Sequence, residues 1–333
     1  MDIFIGAREA SVLTTREFQE LSESRIILLD GATGSCLRAA GMPVGASFEA
    51  WILEHPETLI ELQRGYVGAG SDVIYAPTFM ANRIGLSAHG LEDRLEEMNR
   101  RLVALSKEAS GGRVLVAGDV TTTGRPLEPV GSMTYAELDA IYREQISVLA
   151  DAGVDLLAVE TMLSIEETTV ALEAAKAVCD LPVLCSLTME SDGHLLFGGT
   201  AREAVETLSA LGASAVGLNC SVGPDQLEAV VSELCAAATV PVLVKPNGLF
   251  GRLYLAAIAI ALAMIDLDVM RLPNKIVLPS YAVAAALLVP VSLTTGDPAK
   301  LPELPKGVTP TEAAAWVLAA RVLLNMDETM TKQ

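Results

Sequence analysis

Four side chains in this sequence combine reactive chemistry with a placement that suits a site: Asp30, Glu160, Cys220 and Lys245. Each stands at or just past the end of a short apolar run, at 26–29, 156–159, 215–218 and 242–244 respectively. A carboxylate there requires a partner, solvent or a ligand, because an unpaired charge is costly to bury. Asp30 therefore reads either as an anchor for the glycine-rich turn at 31–34 or as a ligand-binding group, and Glu160 reads the same way. Two such carboxylates on one rim can hold an ammonium, act as acid and base, or bind a metal. Cys220 can ligate zinc or act as a nucleophile, or it is an ordinary packed cysteine. Lys245 can form a Schiff base, or it is a solvated or ion-paired rim residue. Asn82, Thr121, Thr122 and Thr123 are either ligand contacts or plain loop formers. Cys36, Cys179, Cys185 and Cys235 read as packing residues, with Cys36 close enough to the first turn to line a pocket. His55, His89 and His194 form no metal-like cluster at strand ends and read as structural or surface residues.

The elements that must position these groups repeat one form. Apolar runs at 26–30, 73–76, 114–119, 156–160, 183–187, 215–220 and 242–247 each have polar groups at or just past their ends. Helical patterns fill the gaps, near 59–68, 90–109, 135–152, 168–178, 201–211 and 226–236, with a short helical turn at 18–21. Ser47 is placed to cap a helix from Phe48, Pro56 to open the next one, and Gly111 with Gly112 to stop a third. Buried strands alternating with helices, all ending alike, predict a (β/α)8 barrel with its active site on one rim. Beyond Gly251 the pattern changes. Residues 253–265 are an unbroken apolar run, too short to span a bilayer comfortably. The eighth strand falls at 276–278 or 287–291, and a last helix starts near Thr309. The expectation is one barrel domain over 1–333 with an atypical final quarter.

The chain of 333 residues is 51 % apolar, enough for a large core, and its formal net charge is −19. A basic nucleic-acid footprint is not expected, and an anionic membrane would repel the protein. Five cysteines without a CxxC motif make a disulfide framework unexpected. The first residues carry Asp2, Arg8 and Glu9 and show no signal-peptide pattern. A reducing, cytoplasmic location fits.

Taken together, the rim motifs resemble the homocysteine S-methyltransferase family, which includes the homocysteine-binding module of cobalamin-dependent methionine synthase and betaine–homocysteine methyltransferase. The matching stretches are Asp30-Gly-Ala-Thr-Gly34, Gly70-Ser-Asp-Val-Ile74, Pro77-Thr-Phe-Met-Ala-Asn82, Gly118-Asp-Val-Thr-Thr-Thr-Gly124, Glu160-Thr161, Gly217-Leu-Asn-Cys220 and Lys245-Pro-Asn247, in the family's order over roughly 22–250. The resemblance implies a (β/α)8 barrel that moves a methyl group from a small methylated donor or a methylcorrinoid to an acceptor, nominally homocysteine. It implies zinc held by three cysteines, which makes the acceptor thiol a thiolate. Carried over by motif, Cys220 is a zinc ligand and a catalytic residue, together with Asp30 and Glu160. Glu160 is favoured for the substrate ammonium, and Thr33, Thr78, Asn82, Asp119, Thr161, Asn219 and Asn247 line the substrate pocket. A corrinoid protein is the partner that the resemblance implies. The sequence departs from the family at the remaining two zinc ligands: no cysteine follows Cys235, and 251–333 diverges. Three alternatives stay open beside the family reaction. They are a methyltransferase without zinc acting on another substrate, a lyase working through Lys245, and an inactive barrel that binds a corrinoid protein.

Overall fold

The computed structural model describes residues 13–220 and 223–246. The chain divides into two units, Met1–Asn247 and Gly248–Gln333, and every described residue falls in the first. Asn247, both candidates for the eighth strand, the apolar run at 253–265 and the C-terminal helix lie outside the described residues.

Six parallel strands form one sheet in sequence order: β1 (Val73–Ala76), β2 (Leu115–Thr121), β3 (Leu156–Met162), β4 (Val183–Leu187), β5 (Ala215–Cys220) and β6 (Val242–Pro246). The sheet curls into a half-barrel. Ten helices are described: α1 (Thr15–Ser24), α2 (Gly34–Ala39), α3 (Phe48–Glu54), α4 (Pro56–Gly68), α5 (Arg83–Ser87), α6 (Leu95–Ser110), α7 (Tyr135–Asp151), α8 (Ile165–Val178), α9 (Ala201–Ala210) and α10 (Glu228–Ala237). Among the described residues no helix is long and apolar enough to cross a membrane.

Local sequence explains most of these boundaries. Thr14, Thr134 and Thr200 open α1, α7 and α9 with reciprocal capping boxes to Glu17, Glu137 and Glu203. Ser47 caps α3, Ser164 caps α8, and Pro56 is the first residue of α4. Gly111, at φ 56°, closes α6 in the left-handed conformation.

The pleat sorts the strand residues between two cores. Val73, Tyr75, Leu115, Ala117, Leu156, Ala158, Leu184, Ala215 and Leu243 meet on one face, joined by Leu13 and Phe18 from the N-terminal segment. Their neighbours Ile74, Val116, Leu157, Val159, Val183, Cys185, Val216 and Leu218 pack on the other face against the helices. On both faces the strands are buried, as a parallel sheet requires. Two steps beyond Ala117 and Ala158 on the inner face stand Asp119 and Glu160; two beyond Leu243 stands Lys245. The inner face is thus apolar below and charged at its C-terminal end.

Three expectations need correction. Residues 26–29 do not form a full strand: they make a single parallel bridge, Leu29 to Val73. Arg25 pairs with both oxygens of Asp72 at 2.7 Å, and Asp72 accepts the Leu28 amide at 2.8 Å, so a side chain does part of a ladder's work here. Ile26 and Leu28 stay exposed, because no strand lies on their outer side among the described residues. Secondly, β2, β3 and β5 run on through Asp119 to Thr121, Glu160 to Met162, and Asn219 to Cys220, which the sequence places at or beyond strand ends. Ladder pairing along these residues outweighs their low strand propensity. Thirdly, α2 and α5 appear where only loops are expected, because six- and five-residue helices show too little periodicity to read.

Candidate active site

The rim centres on one ammonium between two carboxylates. Lys245 Nζ lies 3.3 Å from Asp30 Oδ1 and 3.5 Å from Glu160 Oε2. It also sits 3.8 Å above the centroid of the Tyr75 ring, so the aromatic face supplies a third attraction. These groups come from four places: the turn after 26–29, β1, the end of β3 and the end of β6. Asp30 is held by its second oxygen, which accepts the Tyr75 amide at 2.8 Å. Glu160 is held through its backbone: its carbonyl accepts the Thr121 hydroxyl at 2.9 Å.

Asp119 completes the acidic group. Its side chain is buried, and its Oδ1 has no hydrogen-bond partner among the described residues. Its backbone is fixed on both sides by Thr78, whose hydroxyl donates to the Asp119 carbonyl at 2.8 Å and accepts its amide at 3.0 Å.

Burial pushes all three acids above the usual carboxylate range, and the positive Lys245 opposes the shift. Asp119 is raised furthest, with the charge of Glu160 adding to its burial. Lys245 moves the other way from a typical buried lysine. Burial lowers its pKa, but Glu160 and Asp30 outweigh this and raise it above the ordinary lysine value.

A second cluster spans the ends of β3 and β5. Asn219 Oδ1 accepts the Thr161 amide at 2.9 Å, and Asn219 Nδ2 donates to Thr161 Oγ1 at 2.7 Å and to Cys220 Sγ at 3.4 Å. Thr161 (φ 58°) and Cys220 (φ 60°) are the described non-glycine residues with positive φ. Each follows the charged or amide group at its strand's end, and β3 shifts register between Val159 and Met162. Left-handed backbone in such side chains costs energy and concentrates at functional sites. Cys220 is exposed on the rim. Partial shelter of its sulfur, with Glu160 nearby, raises the thiol pKa, while the Thr161 hydroxyl opposes the rise.

The structure brings Asp30, Glu160, Asp119, Thr161, Asn219 and Cys220 to one end of the sheet, and gives other expected contacts structural work. Thr78 is fully buried and committed to the backbone of Asp119. Asn82 is buried and caps α5 by accepting the Gly85 amide at 2.8 Å. Thr33 stands half-buried at the start of α2 without a capping bond. Beside it, a Cβ on Gly31 would lie 2.8 Å from the Tyr66 ring, and the Tyr66 hydroxyl donates to the Ala32 carbonyl at 2.8 Å. Tyr66 therefore packs closely on the first rim turn, and a side chain at 31 would have to displace its ring. Cys36 faces the Tyr66 hydroxyl at 3.8 Å. Cys185 is buried between sheet and helices, and its thiol is pushed up to about 12 by burial.

Sequence reading missed Tyr75, Glu49 and Glu167. Tyr75 looks like an ordinary strand residue. Glu49 looks like a first-turn helix acid, yet it is buried and accepts the Met80 amide at 2.9 Å, holding the loop after β1. Glu167 is buried in the first turn of α8 and takes the Thr122 hydroxyl at 2.5 Å, the Thr123 amide and hydroxyl at 2.7 Å, and the Tyr142 hydroxyl at 2.9 Å. The threonine run itself was the available signal for a buried acceptor nearby.

Among the described residues no group of three or more His, Cys, Asp or Glu side chains is arranged to hold a metal ion. The polar partners of Cys220 are Thr161 and Asn219, neither a thiolate. A three-cysteine zinc site therefore does not fit the described residues. A separate apolar groove of about 570 Å³ lies outside the sheet, lined by Leu127, Met133, Tyr135, Ile165 and Val170, and shares no residue with the rim cluster.

Comparison with known proteins places this architecture. The methionine synthases of Mycobacterium tuberculosis and Mycobacterium leprae are each 26 % identical to the chain, over 245 and 251 residues. Both matches cover 68 % of the chain but 20 % of the relative, so the chain spans about a fifth of the length of these proteins. The metallated form of the homocysteine methyltransferase MmuM from Escherichia coli superposes with a TM-score of 0.62 at 27 % identity, covering 69 % of this chain and 86 % of that one. Its oxidised form gives the same TM-score and identity. The family model described as homocysteine S-methyltransferase matches residues 27–264, well over half of the sequence. On the strength of that match, the chain belongs to the homocysteine S-methyltransferase family.

Proposed function

We propose that this chain transfers a methyl group to the sulfur of homocysteine, and that the six strands belong to an eight-stranded barrel. The observation that carries the reading is the Asp30–Glu160 pair closing on an ammonium at the rim. An α-amino acid presents the same charged group, so the pair would hold its ammonium and leave its side chain free to point along the rim. Asn219 and the strained Thr161 and Cys220 border that opening. In the transfer a sulfur–carbon bond forms, the methyl–donor bond breaks, and the donor leaves with that electron pair. The thiol must lose its proton first or in the same step. A small methylated compound or a methylcorrinoid on a carrier protein serves as donor in this reading.

The family's zinc would make the thiol acidic when bound, but Cys220 is the one cysteine that the described residues bring to the ends of β3 and β5, where that device uses three. A Schiff-base role for Lys245 is the weaker reading. A nucleophilic lysine must be neutral, and this one is held charged by two carboxylates.

The test is methyl transfer to homocysteine with metal analysis on protein purified without chelator, for the native chain and Cys220→Ser. Methionine formation by the native chain is the expected result, with Cys220→Ser reporting whether that activity depends on the thiol. If the native chain forms no methionine with any methylated donor or methylcorrinoid, the reading is overturned. Stoichiometric zinc in the native chain that disappears in Cys220→Ser would restore the three-ligand mechanism with ligands from outside the described residues.

A further inference from the structure

Three carboxylates gather at this rim, and one ammonium serves them. Asp30 and Glu160 share Lys245 at 3.3 and 3.5 Å. Those distances exceed the 2.7–2.9 Å usual for charge-assisted bonds, so Lys245 is centred between the two acids and tightly bonded to neither. Asp119 Oδ1 is buried on the same inner face and has no hydrogen-bond partner among the described residues. A buried acceptor without a donor is costly, and a donor arriving at Asp119 Oδ1 would relieve that cost. One ammonium does not match three carboxyl groups, and a second positive charge arriving beside them would favour their ionised form. The lysine stem is flexible, and its side chain remains 22 % exposed.

We propose that the rim is a two-ammonium site in which Lys245 is a placeholder. Without ligand it covers the Asp30–Glu160 pair. A ligand with a primary ammonium takes that pair over, and Lys245 swings to the unpartnered oxygen of Asp119. The ligand class is a primary amine, of which an α-amino acid is one member. Lys245 and Asp119 then set specificity together: the first charges a displacement cost, and the second returns it by receiving the displaced group. Secondary and tertiary amines, with fewer N–H donors and more bulk, would not replace Nζ between the two acids. The inference rests on the amino-acid reading above only for the natural ligand, not for the site.

The test measures binding of n-propylamine and of homocysteine to the native chain, Lys245→Met, Asp119→Asn and the double variant, by calorimetry, with a thermal melt on each. Lys245→Met is expected to bind n-propylamine about tenfold more tightly, because nothing need be displaced. Asp119→Asn is expected to bind it about tenfold more weakly in the native background, and to have little effect once Lys245 is methionine. Additive effects, or a Lys245→Met variant that binds the amine no better, overturn the proposal. Should a variant fail to fold, the 15Nζ resonance of Lys245 in the native chain decides: it shifts on saturation with n-propylamine if the lysine moves, and stays in place if it does not. Coupled n-propylamine binding without homocysteine binding keeps this inference and removes homocysteine as the substrate. Homocysteine binding that both substitutions leave unchanged keeps the substrate and removes this inference.

Discussion

Asn219 shows how one amide can set the form of a rim. Its three hydrogen bonds tie the end of β3 to the end of β5 and hold two residues in left-handed backbone. The identity and strand-end position of Asn219 were legible in the sequence; its grip on Thr161 was not, because the two lie 58 positions apart. Replacing it with alanine removes both bonds to Thr161 and leaves that residue's amide unpaired. The expected cost is about 1–3 kcal/mol in urea unfolding. Cys220 should also become more reactive toward a thiol reagent as its backbone relaxes. Unchanged stability and labelling rate would show that the φ angles are held by something else.

Among the elements, α8 does more than cover the sheet. Through Glu167 it holds the loop that leaves β2, with Thr122 and Thr123 on one carboxylate and Tyr142 of α7 completing the set. Glu167→Ala should lower stability by about 2–3 kcal/mol, the scale of hydrogen bonds to a charged group. It should also speed hydrogen exchange at the Thr123 amide more than at amides within β2. Slow exchange retained in the variant would show the loop to be held from elsewhere. The contact of β5 with β6 depends on Gly217, where an added Cβ would stand 1.7 Å from the Leu243 carbonyl oxygen. Gly217→Ala is therefore expected to destabilise by at least about 3 kcal/mol, since backbone rather than a mobile side chain must give way. A urea midpoint within error of the native chain would contradict this close approach. Boundaries set by local chemistry, such as the Ser47 cap, the Pro56 start and the Gly111 stop, are legible in the sequence itself. The first strand is not, because its reduction to one bridge depends on what lies beside it.

Across the whole molecule, Lys245 links residues 215 positions apart and stands between two acids that burial makes reluctant to ionise. The signs of the two effects differ. The folded carboxylates bind protons more tightly than unfolded ones, so stability falls as pH rises from the unfolded carboxylate range through their raised values. Lys245 also has a raised pKa, and it contributes stability that is fully present below the unfolded lysine value and is lost at higher pH. Lys245→Met takes away the only cation named among these acids, so its deficit relative to the native chain should grow as pH rises above the ordinary carboxylate range. It should reach about 3–5 kcal/mol, the scale of a buried charge left without its partner. Urea midpoints measured over that rise in pH check it; a deficit independent of pH would mean that the acids are not ionised beside the lysine.

The sequence alone determined the alternation of strand and helix, the polar group at each strand's end and the family, since these follow from local periodicity and short motifs. It also showed that no cysteine follows Cys235 to supply the remaining zinc ligands that the resemblance implies. Tertiary structure alone decided what those polar groups do. It set Lys245 between Asp30 and Glu160, left Asp119 Oδ1 without a partner among the described residues, and bonded Thr78 and Asn82 to the backbone of neighbouring loops. The physical reason is range. Periodicity and capping act over a few residues, whereas the energy of a buried charge depends on groups brought together from distant parts of the chain.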